Sequence, residues 1–108
     1  MRFADLQFGP HPVQEGGIQA KALIGKYEVS VVSLQNNDVY EVAIFDGPDG
    51  YFIQLPGIHP DYSAWSDDVI HHQSKDNVEG ILLKLALIAG FDFNPYNNSP
   101  IGVDNAVI

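Results

Sequence analysis

Over the first half of the chain apolar and polar residues alternate with a period of two, the spacing of half-buried β-strands. Ile18, Ala20, Ala22 and Ile24 stand against Gln19 and Lys21, which predicts a first strand over Ile18–Ile24, ended by Gly25. Tyr27, Val29 and Val31 against Glu28 and Ser30 predict a second strand over Tyr27–Leu34. The polar cluster Gln35-Asn36-Asn37-Asp38 reads as a turn, and the alternation resumes over Val39–Phe45, making a hairpin. Asp46-Gly47-Pro48-Asp49-Gly50 is a second turn, with Tyr51–Leu55 predicted as the strand that follows. Beyond the loop Ile58–Trp65, Val69–Gln73 reads as a short edge strand. Residues 1–17 read as irregular, because Gly9-Pro10-His11-Pro12 cannot continue a helix and Gly16-Gly17 permits a turn.

The period then changes. Ser74 is placed to cap a helix whose first turn carries Asp76, and Val78, Ile81, Leu82, Leu85 and Ala89 form a stripe spaced three and four apart. Gly90 is the expected stop. Across the helix from that stripe lie Gly80, Leu83, Lys84 and Leu87, a face too apolar for full solvation. Its expected cover is the chain's own tail, a second copy in a homodimer, or a heterologous partner. The fold class is therefore α+β: an antiparallel meander of four to five strands packed on one C-terminal helix. Residues 1–90 form a single domain, and 91–108 form a non-regular tail that docks on the domain or on a partner.

Composition narrows the function. The chain has 108 residues, 45% of them hydrophobic, enough for one core and too apolar for disorder. Five basic residues against 14 acidic ones leave a net charge of −9, which opposes direct binding of nucleic acid or an anionic membrane. No cysteine is present, which excludes disulfides, iron–sulfur ligation and thiol nucleophiles. The apolar run around Ile81–Ala89 is about half of a membrane span, and Asp5 interrupts any signal-like start. A cytoplasmic location is expected.

No residue set presents a catalytic or cofactor pattern. His11, His59, His71 and His72 lack a recognised ligand spacing, and His11-Pro12 and His59-Pro60 read as loop anchors bonded to backbone. The serines lack a nucleophile-elbow setting, and Asp61, Asp67 and Asp68 read as solvated charge rather than a paired-carboxylate centre. The turn bearing Asp46 and Asp49 is too short for a calcium loop. Gly16-Gly17 precedes a strand, so it is neither a dinucleotide fingerprint nor a phosphate loop. The expectation is no enzyme, no metal and no cofactor.

One set of residues resembles a known group. Phe8-Gly9-Pro10-His11-Pro12, Gly16-Gly17-Ile18-Gln19-Ala20, Tyr27-Glu28-Val29-Ser30-Val31-Val32, Tyr40-Glu41-Val42-Ala43-Ile44 and Asp67-Asp68-Val69 follow one another as in small tailed-phage and prophage proteins with no assigned activity. The resemblance spans roughly residues 3–89 and ends beyond Gly90. It implies phage origin and the same α+β topology, but no activity. The same residues also read as turn and strand formers that encode the fold.

An acidic phage-type domain suggests a non-enzymatic protein that binds and inhibits a host protein with a basic surface, most concretely an anti-CRISPR or other anti-defence inhibitor. The expected contacts are Asp38, Glu41, Asp46, Asp49, Asp61, Asp67 and Asp68, with Tyr51, Tyr62 and Trp65 as aromatic anchors. Gly80, Leu83 and Leu87 would contact the tail or a second copy. Two alternatives are a protein that sequesters or hydrolyses a nucleotide signal, with His11, His59, Tyr62 and Trp65 around a pocket, and a phage structural or assembly accessory protein.

Overall fold

In the computed structural model, residues 1–48, 50–60, 64–66 and 68–92 are described, with side chains to residue 90. The two-residue alternation produces an antiparallel sheet: β1 (Gly9–Pro10), β2 (Ile18–Ile24), β3 (Tyr27–Ser33), β4 (Tyr40–Phe45), β5 (Trp65–Ser66) and β6 (Val69–Gln73). Six strands are ordered β1-β2-β3-β4-β6-β5, followed in sequence by helix α1 (Lys75–Asp92). The register follows the pattern. Val31 lies between Ala20 and Val42, and Val29 between Ala22 and Ile44, so apolar side chains share one face. Fold class is α+β, as the sequence indicates.

That face packs against α1. Val29, Val31, Val42, Ile44 and Ile70 from the sheet and Val78, Leu82 and Leu85 from the helix are fully buried, and Ile81 and Ala89 complete the predicted stripe. Each such aliphatic side chain contributes roughly 1.5–3 kcal/mol by leaving water. The Ser74 hydroxyl accepts from the Asn77 N–H at 3.1 Å, the N-cap expected of it. Ile58, placed in the loop by sequence, is fully buried and closes the core where Gly57 turns the chain at φ +84°.

Several expectations need correction. Tyr51–Leu55 is not a strand: only Phe52 bridges to Phe45, because β6 takes the rest of that β4 edge, against Tyr40–Ala43. Consequently β6 is not the edge; it lies between β4 and the two-residue β5. The N-terminal segment is only partly irregular, since Phe3–Asp5 forms a 3₁₀ turn and Gly9–Pro10 pairs with Gln19 and Ile18. Gly90 does not stop α1, which runs on to Asp92 without a positive φ at Gly90. A glycine within a helix costs only about 1 kcal/mol against alanine, too little to end a helix held by its buried stripe. The tail beyond 92 lies outside the described residues.

The N-terminal segment is fastened to the helix. Phe3 and Phe8 cluster with Tyr40, ring centroids 5.3–5.9 Å apart, and Arg2 pairs with Glu79 of α1.

Candidate functional site

The second face of the sheet is not covered by α1. Its residues are those in the polar phase of each strand, and the register sets them side by side. Leu23 lies opposite Glu28, Glu28 opposite Phe45, and Phe45 opposite Phe52. Phe45 and Phe52 have ring centroids 4.5 Å apart. Leu23 is 56% exposed, Phe52 49% and the adjoining Tyr51 85%. The next row carries Lys21, Ser30 and Ala43. One end of the open face is thus an apolar, aromatic strip with carboxylates at Glu28 and Asp46. Sequence reasoning named Asp46 and Tyr51 but not Leu23, Glu28, Phe45 or Phe52. The available signal was Leu23 itself, an apolar residue in the polar phase after Gln19 and Lys21.

The predicted acids are dispersed, and those described have local partners. Asp46 accepts from the Tyr51 N–H at 3.0 Å, which closes the turn that follows β4. Asp38 lies at the opposite end of β4 in the left-handed region, φ +64°, and accepts from the Tyr40 hydroxyl at 3.2 Å. Burial, then the bond to Asp38 and its charge, push the Tyr40 phenol above its ordinary value. Asp68, φ +66°, accepts from the Gln54 amide at 2.9 Å. Aspartate is among the few non-glycine residues that occupy this region readily, so two of these acids are also turn formers. Glu41 lies on the open face, 2.9 Å from His71 Nδ1. Trp65 is half-buried and packs against the core. Asp49, Asp61, Tyr62 and Asp67 lie outside the described residues.

Three of the four histidines come together. Between the pairs Tyr40–Gln73 and Val42–Ile70, two β6 residues, His71 and His72, oppose the single Glu41: a β-bulge. His72 adopts φ +60°, in the left-handed region where histidine, like asparagine and aspartate, is found more often than most non-glycine residues. His71 and His72 line a cleft of about 560 Å³ together with His59, Ser66, Gln73 and Asn77. His59 Nε2 is 3.0 Å from Gln73 Oε1, and the buried Gln73 amide donates to the His71 carbonyl at 2.7 Å. His71 Nε2 is 3.3 Å from the Ser66 carbonyl. His59 is therefore bound to a side chain, not only a loop anchor. His11 keeps the expected role, with Nδ1 accepting from the N–H groups of Val13 and Gln14 at 3.1 and 2.8 Å. It does not line the cleft. Among the described residues no three His, Asp or Glu side chains are arranged to hold a metal ion.

On the far side of the molecule, α1 presents its unpacked face. Leu83 is 44% exposed and Leu87 66%, while a Cβ at Gly80 or Gly90 would meet no atom within 4 Å among the described residues. No described helix is long and apolar enough to cross a membrane. No family model, curated protein or solved structure matches this chain.

Proposed function

We propose that this chain is a non-enzymatic acidic protein that binds a basic surface of a host protein and inhibits it, in its concrete form an anti-CRISPR or other anti-defence inhibitor of phage origin. The observation that carries the reading is the strip Leu23, Glu28, Phe45, Phe52, with Tyr51 and Asp46 beside it, on a sheet face that no described helix covers. Exposed aromatics supply desolvated contact area, and carboxylates at their margin favour lysine and arginine on the other side. A net charge of −9 adds long-range attraction to a nucleic-acid-binding groove and repels the nucleic acid itself.

The test is expression of the chain in a bacterium carrying a CRISPR system, together with binding to the purified effector. Phage plating is expected to recover, and affinity to fall about tenfold or more between about 50 and 300 mM salt. Tyr51→Ala is expected to weaken binding about tenfold. Asp46→Asn keeps the acceptor for the Tyr51 N–H and removes the charge, so it is expected to lower the association rate and the salt slope. Unchanged phage plating, with no binding to any nucleic-acid-handling host protein at low salt, overturns the reading.

The histidine cleft favours a second reading, sequestration of a nucleotide-type signal. Its volume is in the range of small-molecule sites, and His59, His71, Gln73 and Asn77 offer polar groups at its wall. Native mass spectrometry of the chain purified from phage-infected cells tests it: a bound nucleotide supports this reading, and none opposes it.

A further inference from the structure

We infer that the outer crest of α1 is the contact surface of a two-fold symmetric homodimer in which two copies of the helix pack antiparallel, centred at the level of Leu85. At 100° per residue, Gly80, Leu83, Leu87 and Gly90 project opposite the side of the helix that carries Leu85 into the core. Their order is self-complementary. Leu83 and Leu87 lie two residues either side of position 85, and Gly80 and Gly90 five residues either side. A two-fold axis perpendicular to an antiparallel helix pair demands this symmetry: whatever lies n residues before the axis meets whatever lies n residues after it. Leu83 then meets Leu87 of the partner subunit, and Gly80 meets Gly90 of the partner subunit. Large side chains pack at the centre and the glycines leave room at both ends, within the usual helix separation of about 8–10 Å.

The exposures agree. Both leucines are open to solvent, and the glycines have no described neighbour over them. Charge agrees as well. Between Asp76 and Gly90 the crest carries no carboxylate; Glu79, on one flank, is held by Arg2, and Lys84 occupies the other flank. The crest is therefore one surface on which two chains of net charge −9 can meet without placing acid against acid. From Gly80 to Gly90 the helix rises about 15 Å. A contact of that length is at the small end of specific interfaces, and the expected dissociation constant is about micromolar. Salt screens the repulsion between two acidic chains, so the dimer is expected to tighten as ionic strength rises. That sign is opposite to the one expected for a basic partner on the open sheet face, so the two surfaces are distinguishable in one titration.

Sedimentation equilibrium of the full chain over a concentration series tests the inference: the mass is expected to rise from 11.9 kDa to twice that value. Leu87→Glu and Gly80→Leu are each expected to weaken association about thirtyfold or more while circular dichroism and the melting temperature of the dilute protein stay unchanged or, for Gly80→Leu, rise. The chain has no cysteine, so register is read directly by cross-linking. An oxidised mixture of Leu83→Cys and Leu87→Cys chains is expected to give a disulfide-linked dimer, and either variant alone little, since like positions lie too far apart to bridge. A mass of 11.9 kDa at every concentration overturns the inference. So does a dimer that survives both crest substitutions, or Leu83→Cys chains that link efficiently to one another.

Discussion

Gly25 shows how one residue couples two elements. It turns β2 into β3 at φ +61°, and a Cβ built there would stand 2.6 Å from the Ala89 Cβ of α1. Any other residue meets two penalties at once: the left-handed backbone, and a collision with the helix that covers the sheet. Gly25→Ala is expected to cost roughly 2–5 kcal/mol, summing a left-handed strain of about 1–2 kcal/mol with an overpacking cost of about 1–3 kcal/mol. Urea unfolding measures it. The two parts separate in a double-mutant cycle with Ala89→Gly, which opens room for the methyl and leaves the strain; recovery of part, not all, of the lost stability is expected. The same left-handed geometry explains Asp38 and Asp68. As residues they look like surface charge, while the backbone at those positions itself selects aspartate, asparagine or glycine. Their presence in the sequence is therefore weaker support for a docking role than Asp46 with Tyr51.

Elements with a long, one-sided pattern are legible in the sequence alone. β2, β3 and α1 each repeat their period several times, and Ser74 announces the helix start with a hydroxyl and a following acidic turn. Ser74→Ala is expected to lower stability by about 1 kcal/mol, read from thermal or urea melts, because it orphans the Asn77 N–H. Elements built on contact rather than on period were not legible. β1 and β5 have two residues each, too few for any alternation, and exist because β2 and β6 offer them an edge. The competition of β6 and Phe52 for one edge of β4 is a tertiary event, invisible in Tyr51–Leu55 taken alone. The candidate site divides along the same line. Tyr51 and Asp46 stood out by residue type, whereas the strip from Leu23 to Phe52 depends on the register of four segments, and the histidine cleft on a bulge that adds one residue to β6.

Across the whole molecule, the first residues of the chain are tied to the second turn of its helix by one carboxylate. Glu79 accepts from Arg2 Nε at 2.6 Å and from the Phe3 N–H at 2.7 Å. The side-chain bond to Arg2, then the backbone bond from Phe3, hold its carboxyl below the ordinary value of 4.5. A lowered folded-state value means that the unfolded chain takes up the proton first as pH falls. The stabilisation is therefore present above about 4.5 and disappears as pH drops through the lower folded value. A simple acid titration of stability does not isolate this effect, because protonating a chain of net charge −9 also relieves its self-repulsion, with the opposite sign. The difference between the native chain and Glu79→Gln does isolate it. Glutamine keeps an acceptor for the Phe3 N–H and lacks the charge, so it imitates the protonated acid, while the relief of repulsion elsewhere is common to both. At neutral pH the Glu79→Gln chain is expected to melt at a lower temperature, and the gap is expected to close as the pH falls below about 4.5. A gap that stays constant as the pH falls would mean that Glu79 holds the N-terminal segment by shape and hydrogen bonding alone, with its charge contributing nothing.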